Sequence, residues 1–160
     1  MKIAGWFLLA PAVLLLQGCA WDRATGPMFS PMPKIPETKA LVYIYRKNNI
    51  GGIARAHSIY ANGAPVAALA NASYYPFVTV PAVLKFSSSA RTGDPLIHSS
   101  ISSESLLTLD ARAGLIYYLE FHIGDTWGPK LFLVDPQTGS EKIKKCRLAD
   151  TLAEKGITSQ

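Results

Sequence analysis

Ala40-Leu41-Val42-Tyr43-Ile44-Tyr45-Arg46 decides the fold: six apolar residues in succession, dense in β-branched and aromatic side chains, closed by an arginine. A strand sends alternate side chains to opposite faces, so a run that is apolar at odd and even positions alike predicts a central strand covered on both sides. Downstream, Asn48-Asn49-Ile50-Gly51-Gly52 reads as a loop. Residues 54–60 and Ala64 to Leu69 are two strand-like runs joined by Asn62-Gly63, the strongest short-range hairpin signal because both turn positions need positive φ. Tyr74 to Val80 and Val83 to Ser89 follow, separated at Pro81-Ala82, and Leu96 to Ser105 alternates apolar and serine residues as an edge strand does. Leu106 to Asp110, Leu115 to Ile123 and Lys130 to Val134 complete the set. Strands recurring at intervals of about ten residues with turn residues between them predict an all-β fold, a single antiparallel β-sandwich or small barrel. Only the end reads as helix. Asp135 is a candidate N-cap with Pro136 behind it, and Ile143, Leu148 and Leu152 form a loose apolar stripe, although Gly139 would allow a start as late as Ser140.

Upstream of the central strand the character changes. Residues 21–38 hold Pro27, Pro31, Pro33 and Pro36 with little apolar periodicity, and read as a flexible, partly polyproline-like linker. Before it, Met1-Lys2 leads into an apolar run from Ile3 to Leu16 that ends in Leu16-Gln17-Gly18-Cys19. The run is short for a membrane span, which takes about 20 residues, and has the layout of a secretory signal. Leu-x-Gly-Cys at its end resembles the bacterial lipobox, in which the cysteine receives a diacylglycerol and the segment before it is removed. That resemblance implies a signal peptide over 1–18, a lipid-bearing (palmitate-type) Cys19 opening a linker over 19–39, and a domain with a C-terminal helix over 40–160. Ala20 rather than Asp after the cysteine implies, by the same likeness, the outer membrane, facing the periplasm.

Lys and Arg number 16 against 11 Asp and Glu, a net charge of +5. An exported chain meets no nucleic acid, so this balance would favour anionic head groups or cell-wall carboxylates, but the excess is modest and basic residues spread from Lys34 to Lys155 read by default as solvated surface. With Cys19 carrying lipid, Cys146 is the remaining thiol, no intramolecular disulfide forms, and an apolar core must hold the fold. Lys144, Lys145 and Arg147 beside it suggest a thiol of lowered pKa, reactive or paired between chains, the other reading being a half-buried cysteine on an amphipathic C-terminal segment.

Several of these features together resemble the uncharacterised bacterial lipoproteins grouped as domain of unknown function 2846: the opening strand Ala40 to Arg46, the Asn62-Gly63 hairpin, Tyr74 to Phe86 with its Val80-Pro81-Ala82 break, and Ala113-Gly114-Leu115-Ile116-Tyr117-Tyr118-Leu119. The likeness covers about residues 40 to 135. A similar hairpin occurs in transthyretin-like and surface-layer sandwich modules. The resemblance implies a sandwich used for adhesion or binding, and carries over no catalytic residue.

Catalytic patterns are missing. No Gly-x-Ser-x-Gly elbow is present, and Ser87-Ser88-Ser89 reads as polar strand positions. His57, His98 and His122 stand without the close spacing of a zinc site. Among the carboxylates Asp94, Glu104, Asp110, Glu120, Asp125 and Asp135, most fall at turns, while Glu120 shares a face with Tyr118 and His122 that is expected to look outward. The expectation is therefore no enzyme, no cofactor and no metal. Two contact surfaces stand out: Arg46, Lys47, Arg55 and His57 around the loop after the first strand, and Trp127 in the turn Gly124 to Pro129. A membrane-anchored interaction module for another envelope protein is the leading expectation. The alternative is a carrier holding a lipid or glycan in a groove lined by Tyr74, Tyr75 and Phe77.

Overall fold

A computed structural model describes residues 24–49, 56–90, 105–123 and 128–149. Among these residues, nine strands and one helix follow in the order β1 (Ala40–Arg46), β2 (His57–Ala61), β3 (Ala64–Leu69), β4 (Ser73–Thr79), β5 (Ala82–Ala90), β6 (Leu107–Ala111), β7 (Ile116–Ile123), β8 (Pro129–Val134), α1 (Pro136–Ile143) and β9 (Arg147–Leu148). They form a sandwich and not a closed barrel: a sheet in the order β8-β7-β1-β4-β9 packs on one in the order β3-β2-β5-β6. The smaller sheet is antiparallel throughout, but β1 runs parallel to β7 and β4 parallel to β9, so the larger sheet is mixed. Among the described residues no helix is long and apolar enough to cross a membrane.

Two apolar layers explain the doubly apolar β1. Its even positions Ala40, Val42 and Ile44 enter the core between the sheets with Ile59, Leu69, Leu84, Phe86, Leu109, Leu119 and Phe121. Its odd positions Leu41, Tyr43 and Tyr45 enter a second cluster on the outer face, with Tyr74, Tyr118, Ile143 and Cys146. Each fully buried side chain of this size stabilises by about 1.5–3 kcal/mol, so both faces carry weight.

Asn62 (φ 50) and Gly63 (φ 80) make the expected tight hairpin between β2 and β3. Pro81 lies at a crossing between sheets, because β4 pairs with β1 while β5 pairs with β2 and β6. The helix starts at Pro136 with Asp135 as its cap, the Asp135 carboxylate accepting from the Thr138 amide at 2.9 Å. Gly139 belongs inside it: a Cβ there would stand 2.4 Å from Cβ and Cγ of Tyr118, so its absence lets the helix lie flat on the sheet. Of the expected helical stripe only Ile143 is on the helix, since Leu148 forms β9. Leu152 and nearly all of the run Leu96 to Ser105 lie outside the described residues.

The expected flexible linker is, from Ala24 on, packed against the domain. Phe29, Met32 and Ile35 insert into the outer cluster, and Phe29 meets Tyr43 and Tyr74 edge-on with ring centroids 5.2 and 5.1 Å away. Backbone bonds fasten the same strap: the Phe29 amide donates to the Cys146 carbonyl (2.9 Å) and the Leu148 amide to the Pro27 carbonyl (2.8 Å). The physical reason is spacing. A polyproline-type chain has three residues per turn, so positions 29, 32 and 35 fall on one side.

Candidate functional site

Where β1 ends, three elements converge on one carboxylate. The parallel register of β1 and β7 sets Tyr45 beside Glu120, the chain leaves β1 through Lys47, and the last turn of α1 supplies Lys142. Glu120 Oε1 accepts from Lys47 Nζ at 2.7 Å and contacts His122 Nε2 at 2.5 Å, while Oε2 accepts from Lys142 Nζ at 2.9 Å and from the Tyr45 hydroxyl at 3.0 Å. The Glu120 side chain is 2% exposed, yet Lys47, Lys142 and His122 are each about two-fifths exposed (44%, 38% and 42%), so the cluster is a buried anion under a basic lid. Phe132 stands edge-on to the His122 ring at 5.3 Å and closes the β8 side.

Burial alone would push the Glu120 carboxyl up. The bonds from Lys47, Lys142, His122 and Tyr45 outweigh that and hold it at about 2. Tyr45 moves the other way, its phenol raised first by burial and then by the bond to Glu120. A carboxylate held by four donors, ionised far below neutrality, is a weak base, and the phenol beside it a weak acid, so the pair is poorly matched to proton transfer near neutral pH. Chemically, the arrangement locks helix to sheet and concentrates positive charge at the surface.

Cys146 lies under this lid, 1% exposed, its thiol donating to the Arg46 carbonyl at 3.6 Å. Burial, reinforced by the Glu120 charge, pushes the thiol up to about 12. This corrects the expectation of a lowered pKa: the neighbouring cations point to water and the sulfur does not. Dimerisation through so buried a thiol has no geometric basis.

The expected basic surface separates into parts. Arg46 occupies an even position of β1, the inward side, and is 3% exposed, with its guanidinium donating to the Leu69 carbonyl at 3.3 Å. His57, 6% exposed, stacks obliquely on Phe121 at 5.2 Å. Both are therefore interior groups at the end of the sandwich; among the described members of that surface Lys47, at the next odd position, is the one that reaches solvent. Arg55, Trp127 and Cys19 lie outside the described residues, as do Asp94, Glu104, Asp125 and His98. Nor do Tyr74, Tyr75 and Phe77 line one groove: Tyr74 is in the outer cluster, and the other two pack on the core between the sheets. Ser88 and Ser89 are buried strand positions, as expected of strand serines, with the Ser88 hydroxyl unbonded and Ser89 meeting the Tyr60 hydroxyl at 3.3 Å. Asp110 pairs with Arg112 at the surface. No set of three or more His, Cys, Asp or Glu in position to hold a metal occurs among the described residues.

Two further surface features were not legible in the sequence. Beside the Glu120 lid, Lys47, Asn48, Glu141, Lys142, Lys145 and Cys146 line an open hollow of about 630 Å³. At the far end of β7, Leu115, Ile116, Tyr117, Leu133, Val134, Asp135 and Pro136 line an apolar cleft of about 470 Å³. Neither the models of known protein families, nor curated proteins, nor solved structures match the chain.

Proposed function

We propose that this chain is a lipid-anchored protein of the bacterial cell envelope, held to the membrane through Cys19, whose sandwich is a non-catalytic binding module for another envelope protein. The observation that carries the reading is the apolar cleft at the β8 edge. Leu133 is 54% exposed, Leu115 48% and Ile116 41%, and they adjoin one another around a concave surface. Scattered exposed leucines need no explanation, whereas a contiguous concave patch of them is what a protein contact surface offers. Strand β8 also ends its sheet among the described residues, so its outer backbone groups can pair with an added strand, a common mode of peptide capture. The leader ending in Leu16-Gln17-Gly18-Cys19 supports the envelope location.

Crosslinking in intact cells, followed by pull-down and mass spectrometry, tests the reading with wild type and Leu133→Lys side by side. A specific envelope protein captured by wild type and lost from Leu133→Lys is the expected result. Identical capture by the two proteins rejects the cleft. A copurifying lipid or glycan with no protein partner would favour the carrier instead. Arg46→Ala is unsuited as a surface probe, because Arg46 is buried.

A further inference from the structure

The strap changes how far the domain can stand from its anchor. Ala24 is already inside the fold, 8% exposed and packed with Ala56 and Ala70, and the following residues are tied down by the Pro27 and Phe29 backbone bonds and by Arg147, which donates to the Gly26 carbonyl at 3.2 Å. Only five residue steps separate Cys19 from Ala24. Fully extended, they span about 18 Å at most. A lipid on Cys19 therefore keeps the surface around Ala24 close to the bilayer, where a free linker of the whole segment would have let it drift tens of ångströms away.

That surface is basic. Ala24 lines a hollow of about 180 Å³ together with Asn48, Asn71, Ala72, Lys145 and Arg147. It shares Asn48 and Lys145 with the hollow over the Glu120 lid, so the two adjoin. Among the described residues, Lys47 and Lys142 pair with the buried Glu120 and Lys144 with Glu141, while Lys145 and Arg147 are exposed beside them, so at this corner five described cations stand against two described carboxylates. We infer that this corner docks on the anionic phosphate head groups of the membrane that holds the anchor, with Lys144, Lys145 and Arg147 nearest the lipid. The inference rests on Cys19 carrying lipid. Charge complementarity and the short reach from Ala24 select a lipid surface as the occupant. The attraction acts over about 8–10 Å at physiological salt, a separation that lies within the reach of the tether. Each basic residue near an anionic surface contributes roughly a fivefold gain in the docked population.

The test uses full-length protein expressed in bacteria, extracted and placed in nanodiscs of phosphatidylcholine alone or with phosphatidylglycerol. The N-terminal peptide is weighed and lysine acylation rates are measured. Expected are a lipid-bearing Cys19 peptide and labelling of Lys144 and Lys145 slower by at least about fivefold with phosphatidylglycerol, restored by high salt, while Lys85 on the opposite sheet is unaffected. In Lys144→Gln/Lys145→Gln, whose two changes are at exposed positions, the protection of Lys47 should fall as well. Equal labelling in the two lipids on a lipid-bearing protein overturns the docking and leaves the anchor standing. A Cys19 peptide without lipid removes the anchor and the docking together.

Discussion

At the scale of single residues, Glu120 is where the fold stakes most on one group. A buried carboxylate stripped of partners would cost several kcal/mol, and here four donors share it. Its pKa of about 2 lies below the ordinary 4.5, so its contribution to stability is present above about pH 4.5 and is lost as pH falls towards 2. With screening by the half-exposed lysines allowed for, that contribution is on the order of 2 kcal/mol. Glu120→Gln should therefore lower stability by about that amount at pH 7 and remove the matching acid-dependent loss. Urea unfolding of both proteins at pH 7, 4 and 3 reads this directly. If the two proteins lose stability in parallel down to pH 3, the carboxylate is not holding helix to sheet. The site could not be found along the chain because Tyr45, Lys47, Glu120, His122 and Lys142 come from three segments. The available hint, a glutamate within the apolar strand Leu115 to Ile123, fits a solvent-facing position equally well.

At the scale of elements, local chemistry was readable and its tertiary use was not. Asn62-Gly63 and Asp135-Pro136 each announce their turn or cap through backbone requirements of adjacent residues, and both occur where expected. The strap is the opposite case: prolines suggest a free linker, while the three-residue spacing of Phe29, Met32 and Ile35 matters only once Tyr43 and Tyr74 offer a face to receive them. Gly139 likewise looks like a weak point of α1. Read by propensity alone, Gly139→Ala would stabilise the helix by about 1 kcal/mol. The methyl would instead stand 2.4 Å from the Tyr118 ring root, and overpacking of that kind costs about 1–3 kcal/mol or forces the helix off the sheet. Because lifting α1 also draws Lys142 from Glu120, the net change should be destabilising by about 1–2 kcal/mol, seen as a lower urea midpoint. A higher midpoint would mean that the helix is free to shift.

At the scale of the whole molecule, the two surfaces lie at opposite corners of one sheet. The basic corner is at the β9 edge, level with Arg46, since Ser73 pairs with both Arg46 and Arg147. The apolar cleft is at the β8 edge, near the level of Leu41, which pairs with Ile116. Four strand gaps of about 4.8 Å and several residue rises of about 3.3 Å separate them, more than about 20 Å corner to corner. A molecule docked through Lys145 and Arg147 thus holds its cleft away from the bilayer, towards whatever protein shares the envelope space. Photoreactive residues introduced at positions 145 and 133 should report this division in living cells: lipid adducts from 145, protein adducts from 133. Ten Gly and Ser residues inserted after Ala20 should weaken the lipid adducts at 145, because the tether no longer confines the corner, while capture at 133 persists. Should position 133 yield lipid and 145 protein, the molecule lies the other way up, and the apolar cleft would be its membrane contact.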